Sequence, residues 1–406
     1  MTRSWFIGLA LGCACTTSSP SQKSLVLTDV TVIDGTGAAI RPNSAVIITG
    51  NRIDSIVDSR RSESFPKGAR VIRAAGKFVI PGLWDMHVHL SAEHLPLFVA
   101  YGVTGVRDMG NKLSDVDSWR AQIADGTLIG PSILRVGPIL NGQVFGPTHV
   151  EIRNESEARA AVRLLQHVGV DAIKLHKMLS REAYFGLSDE AKKLGIPFVG
   201  HIPVTVTAKE ASDAGQASFE HMETLFEGNS PLMGDQTPAL FERFVKNGNA
   251  FTPTLINYRG SAEPANIDPE LLKQYPDMPA GRQRIFKQFL ALLGQMNKSG
   301  VTLMTGTDLG SKWISAGSSL HDELAIFVEA GLTPMQALQA ATRNPARFLR
   351  VEAGTVEAGK SANLVLLDAN PLDDIRNTRR ISAVVLNGRF VEKPRLQQLL
   401  QNAHSK

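Results

Sequence analysis

Between residues 78 and 308 the chain alternates two hydropathic rhythms. Short apolar runs, "FVIPGLWDMHVHL", "GVTGVRDMG", "SILRVGPIL", "DAIKLHK", "PFVGHIP", "ASFEHME", "AFTPTLI" and "VTLMTGTD", read as strands. Between most of them lie stretches such as "SEARAAVRLLQHVG" and "SREAYFGLSDEAKKLG", in which apolar residues recur at helical spacing. Strand–helix alternation of this length predicts an α/β chain folded as a parallel (β/α)8 TIM-like barrel, assigned to residues 81–350. Both flanks read differently. "SLVLTDVTVIDG", "AVIITGNRIDSIV" and "RVIRAAGKFVIPG" on one side, and "GTVEAGKSANLVLLDANP" and "ISAVVLNGRFVE" on the other, are short strands punctuated by glycine turns. They predict a small β-sandwich built from both chain ends, residues 24–80 and 351–395.

Composition narrows the function. The 406 residues are 43% hydrophobic and 20% charged, with a net charge of +4 that forms no long basic run, so nucleic acid is not an expected partner. Both cysteines, Cys13 and Cys15, lie in the first fifteen residues, which leaves the body without a disulfide or a thiolate nucleophile. Residues 1–23 read as a signal peptide and tether. Arg3 precedes the apolar run Trp5 to Leu11, too short to span a bilayer permanently, and small residues follow. Gly12 before Cys13 is similar to a bacterial lipoprotein cleavage site, although Ala10 and Leu11 stand exchanged relative to the usual order. Export to the periplasm, or anchoring at a membrane through a lipid on Cys13, is therefore expected.

The polar residues that fall at predicted strand ends form a set. His87 and His89 close the first strand and, two apart, share one face of it. Lys174 lies in the fourth, His201 ends the fifth, His221 the sixth and Asp308 the eighth. Imidazoles with a carboxylate suit zinc and neighbouring transition metals. An ammonium offers only donors and cannot ligate. Near a metal centre its pKa falls, and the neutral amine can capture carbon dioxide to become a carbamate with two ligand oxygens. Two bridged cations generate hydroxide at neutral pH, and Asp308 is placed to accept and return a proton.

In this order "PGLWDMHVHL", Lys174, "GHIP", "FEHM" and "TGTD" resemble the amidohydrolase superfamily, and within it the prolidase-like group with a carbamylated lysine and two metals. The resemblance spans residues 24 to 392 and includes "GLTPMQALQAATRNPARFL", similar to the family's barrel closure. It implies that His87, His89 and Asp308 bind a first divalent cation and His201 and His221 a second, with zinc the default in both and carbamylated Lys174 as the bridge. It further implies hydrolysis of an amide in a small substrate, a dipeptide or N-acyl amino acid. Cyclic-amide hydrolysis of the imidazolonepropionase type, lactonase or phosphotriesterase chemistry, and a metal-less binding scaffold are the alternatives; the retained ligand set weighs against the last.

Four further residues have two readings each. Arg107 either binds a substrate carboxylate or pairs with Asp108 or another barrel carboxylate. His149, in the loop "NGQVFGPTHV", either touches substrate or is merely exposed. His176 shares a face with Lys174 and reads as a substrate contact or a partner of the ligands. His321 reads as a residue beside the site or a helix cap. Tyr184 is expected to pack a helix face. Assembly into homo-oligomers is left open by the sequence.

Overall fold

The computed structural model describes residues 24–227, 230–231 and 237–404; the expected signal segment and Cys13 lie outside the described residues. The fold is mixed α/β. Parallel strands Leu83–Val88, Val103–Asp108, Ser132–Arg135, Ile173–Leu175, Phe198–Gly200, Ser218–Glu220, Ala250–Thr252 and Thr302–Leu303 follow one another around a TIM-barrel-like domain. The last meets the first through Met86 N–H donating to Thr305 O at 2.8 Å and Asp308 N–H donating to His87 O at 2.8 Å.

"SILRVGPIL" does not form one strand. It breaks into Ser132–Arg135 and Ile139–Asn141, because Gly137 adopts φ +72° and Pro138 brings no N–H to a ladder. The second piece pairs with Lys174 on one side and with the short strand His149–Glu151 on the other, which brings His149 to the barrel mouth.

Both expected helices form. Asn154 caps Glu155–His167 through Glu157 N–H, and Ser180 caps Arg181–Leu194 through Ala183 N–H, with Gly195 ending the second at φ +67°. Their buried stripes, Ala158, Val162 and Leu165 against Ala183, Leu187 and Ala191, join the main core. Tyr184 is fully buried there, and its hydroxyl donates to Gln216 Oε1 at 3.0 Å. Each fully buried aliphatic side chain stabilises by about 1.5–3 kcal/mol, so this seam holds the outer ring against the strands. Inside, Trp84, Met86, Ala250 and Met304 close the floor with Phe348.

The two chain ends share one eight-stranded sheet. Its order runs Arg389–Glu392, Ile381–Leu386, Leu364–Leu367, Phe78–Pro81, Ser24–Val32, Arg41–Thr49 and Arg52–Asp58, and it branches where Arg70–Arg73 also pairs with Ser24–Val32. Leu364–Leu367 is buried on both faces: Leu364 and Leu366 enter the sheet's own core, Val365 and Leu367 the barrel's. That strand welds the sheet to the barrel.

One internal contact positions the barrel mouth. Thr254 takes the left-handed conformation at φ +50° and offers no side-chain cap to the helix Leu255–Ala262 that follows. Buried Glu323 replaces the cap, accepting Leu255 N–H at 2.9 Å and Ile256 N–H at 2.7 Å.

Glu323→Ala is expected to cost roughly 1–3 kcal/mol for each stranded amide, measured as a fall in the urea midpoint. Burial pushes Glu323 from 4.5 up to about 8. Between those values the folded chain keeps a proton that the unfolded chain has lost. The associated stability is complete below about 4.5 and is lost as pH rises through about 8. Glu323→Gln cannot ionise, and its stability–pH profile should be flatter across that window.

Candidate metal centre

The strand ends converge as their alternation requires. His87 Nε2 stands 3.5 Å from Asp308 Oδ1, His89 Nε2 stands 3.6 Å from the same oxygen, and His221 Nδ1 lies 4.0 Å from Asp308 Oδ2. One ligand atom from each of His87, His89 and Asp308 falls within 4.8 Å of the others, a spacing that one cation can span. The His221 ring centroid lies 4.4 Å from that of His87 and 4.6 Å from that of His201. These residues and Lys174 line one pocket of 420 Å³ with His149, His176, Glu223, Asn257, Tyr258 and Trp313.

The local backbone is built for this convergence. His221, Thr254 and Asp308 end three successive strands in left-handed conformations at φ +68°, +50° and +59°. Each costs on the order of 1 kcal/mol, and each turns a side chain into the mouth where a continuing strand would carry it past. Gly200, just before His201, takes φ +121°; a Cβ there would lie 2.3 Å from Leu175 O and 3.0 Å from Lys174 Cδ. The neighbouring strand passes too close for any side chain.

Every proposed nitrogen donor is buried or half-buried. Burial, reinforced by Lys174, holds His87 and His201 well below the usual histidine range, and burial also lowers His221. Their rings are neutral at pH 7 and can offer lone pairs. Burial lowers Lys174 to about 8, against the pull of Glu220 and Asp308. For Asp308 burial pushes upward, but His221, His89 and His87 outweigh it and hold the carboxylate well below its ordinary range.

A second set of contacts fixes the first. His87 Nδ1 donates to Glu220 Oε2 at 3.2 Å, which turns Nε2 toward Asp308. Glu220 Oε1 accepts from Arg107 Nη2 at 2.7 Å and from Ser218 Oγ at 2.5 Å. His221 Nδ1 hydrogen-bonds Thr254 Oγ1 at 2.8 Å. Trp313 Nε1 donates to Asn257 Oδ1 at 2.9 Å, and Asn257 Nδ2 donates to Asp308 Oδ2 at 2.6 Å. Asp85 clamps the barrel seam by accepting Thr307 Oγ1–H at 2.7 Å and Thr307 N–H at 3.0 Å. Burial pushes this carboxyl up to about 7.

Two expectations need correction. Arg107 is not at the mouth. Its guanidinium is buried inside the barrel, donating to Met86 O at 2.8 Å and to Glu220, with Phe348 beneath it at 5.5 Å, so of its two readings the pairing with a barrel carboxylate holds and the substrate contact does not. Its inward strand position lies below the histidines, out of reach of substrate. His321 does not line the pocket either: its ring bridges Thr378 Oγ1 at 2.9 Å and Tyr101 O at 3.0 Å, fastening the helix Ser318–Glu329 to its neighbours. His149 and His176 do reach the pocket, their rings 5.7 Å apart and His176 4.3 Å from His201. Glu220, Glu223, Asn257 and Tyr258 were not singled out in the sequence. Glu220 and Glu223 flank His221 in "FEHME", so a carboxylate beside each side of a candidate ligand was the available signal; Asn257 and Tyr258 carried none.

The residues fit a metal centre. Lys174 Nζ, His201 Nδ1, His176 Nδ1 and His149 Nδ1 are buried with no hydrogen-bond partner among the described residues. Buried polar atoms are normally satisfied, and four unmatched ones around a single pocket of imidazoles and carboxylate imply a bound group.

Comparison with known proteins agrees. Residues 78–391 match the amidohydrolase family. The chain is 24% identical, over an alignment of 446 positions, to an ochratoxinase of Aspergillus niger, covering 90% of this chain and 86% of that one. Among solved structures it is similar to a Xaa-Pro dipeptidase with bound methionine, at TM-score 0.75 and 23% identity over 91% of this chain and all (100%) of the other. It is also similar to a molinate hydrolase, at TM-score 0.73 and 23% identity over 93% and 96%.

Arg107→Met leaves the Glu220 carboxylate buried and unpaired, and should lower unfolding free energy by about 3–5 kcal/mol in a denaturant titration. A substrate-binding arginine would instead raise KM and leave stability unchanged.

Proposed function

Because the chain belongs to the amidohydrolase family and is a metal-dependent hydrolase of amide carbon–nitrogen bonds, we propose that it cleaves a dipeptide or an N-acyl amino acid at a centre of two divalent cations. His87, His89 and Asp308 would hold one cation, His201 and His221 the other, and Lys174, as a carbamate, would lie between them. Zinc suits this nitrogen-rich set. When bound, such a pair polarises a scissile carbonyl and lowers the pKa of water from about 15.7 toward about 7.

The observation that carries the reading is Lys174. Its Nζ is buried without a partner amid imidazoles, and burial has lowered its pKa to about 8. An accessible fraction of neutral amine follows, and that form adds carbon dioxide, releasing one proton to solvent. The product is an anion that answers the charge of two cations.

Asp308 moves the proton. Asn257 holds Oδ2 at 2.6 Å, leaving Oδ1 toward His87 and His89. The attacking water gives a proton to this carboxylate as its oxygen bonds the acyl carbon, and the carboxylate hands that proton to the departing nitrogen as the carbon–nitrogen bond breaks. His149 and His176 flank the substrate at the rim. Similarity to a Xaa-Pro dipeptidase supports the dipeptide reading; an ochratoxinase and a molinate hydrolase stand beside it as relatives with other substrates. The N-terminal pattern supports export, with Cys13 as the lipid attachment point; incorporation of labelled palmitate, lost in Cys13→Ser, is the check.

Chelation should abolish turnover of a dipeptide and N-acyl amino acid panel, and zinc with bicarbonate should restore it. Asp308→Asn is expected to reduce kcat by at least about a hundredfold with the fold intact by circular dichroism. Carbon-13 bicarbonate should give the metal-loaded protein a carbamate resonance that Lys174→Met lacks. Full turnover after metal removal, or an unchanged spectrum, sinks the reading.

A further inference from the structure

The pocket's charge is lopsided. Among the described residues that line it, Glu223 and Asp308 are carboxylates and Lys174 is the sole lysine or arginine. Lys174 lies on the floor, 1% exposed, within the metal set. The nearby arginines are committed elsewhere. Arg107 is spent on Glu220 below the histidines, Arg259 pairs with Glu329, and Arg282 Nη1 donates to Ser261 O at 2.7 Å. Beside the cations proposed for its floor, the described walls of the pocket therefore offer no free lysine or arginine.

Glu223 has the opposite character. It sits on the short 3-10 turn Met222–Leu225 immediately after His221, so the strand that supplies a candidate ligand also sets its position. Tyr258 Oη donates to Glu223 Oε2 at 2.6 Å, and Glu223 N–H donates back to Tyr258 Oη at 3.3 Å. This closed pair locks the carboxylate's rotamer. One oxygen is occupied by a single hydrogen bond, whereas a carboxylate accepts about four, so capacity remains for a cationic donor. The half-buried position strengthens such a pairing over one in open water. Neither the proposed metal set nor the proton carrier uses Glu223.

We propose that Glu223, held by Tyr258, is a specificity-determining residue that receives a protonated amine of the substrate, which selects dipeptides with a free α-ammonium over N-acylated amino acids. The inference rests on the amide-hydrolase reading and chooses between its two substrate classes. It also assigns Tyr258 a positioning role: the phenol restrains the acceptor and does not itself meet the ammonium.

The test takes the dipeptide that the zinc-loaded full-length wild type cleaves fastest and compares it with its N-acetyl counterpart. Wild type should favour the free dipeptide by tenfold or more in kcat/KM, about the value of a hydrogen bond to a charged group. Glu223→Gln should raise KM for the free dipeptide by a similar factor, leave kcat within a few-fold, and leave the N-acetyl compound unaffected. Tyr258→Phe, which keeps the ring, should give a smaller rise in the same direction and guards against a folding defect in the first variant. Equal handling of both compounds by wild type, or a Glu223→Gln variant with an unaltered preference, overturns this inference and leaves amide hydrolysis standing. Failure of wild type to cleave any member of either class overturns both.

Discussion

The candidate centre depends on one ion pair, Arg107 with Glu220, sealed inside the barrel beneath the histidines. Both side chains are fully buried, so neither charge is tolerable alone, and each fixes the other. Their placement has a further effect. The carboxylate's second oxygen takes the Nδ1 proton of His87, which selects the tautomer whose Nε2 faces Asp308. An interaction that looks like bulk structural stability therefore sets the lone-pair direction of a candidate ligand.

The same economy recurs around the mouth. Strained backbone at His221, Thr254 and Asp308 is tolerated because neighbours over-determine it: Thr254 bonds His221, Asp308 is bound by Asn257, and Glu323 secures the turn after Thr254. The side chains are held ready before any substrate arrives. Such preorganisation lets electrostatic contacts act without reorganising during the reaction.

Much of this was legible in the sequence, for definite reasons. His87 with His89, His201, His221 and Asp308 stand out because strand periodicity and the rarity of histidine select them, and all converge on one pocket. Lys174 stands out because a cation in a short apolar strand needs a reason. The two helices Glu155–His167 and Arg181–Leu194 follow from spacing and caps. What failed depended on facing. Arg107 was seen near the end of its strand, but whether it points above or below the ligand layer depends on strand tilt and stagger, which spacing does not encode. His321 begins a helix, yet the excursion from Leu309 to Gly317 rotates its face toward Tyr101 and Thr378. The Gly137–Pro138 break was visible as residues and outweighed by the apolar run on either side. Asn257 and Tyr258 sit on a helix beyond the seventh strand, where ordinary polar residues give no hint of what they touch.

The shared sheet has a consequence for how the molecule comes into being. Phe78–Pro81 can find its antiparallel neighbour Leu364–Leu367 only after all of the barrel-forming segment between them has left the ribosome. The first strand of the pair thus waits with an apolar edge open, and closure is a long-range event rather than a vectorial one.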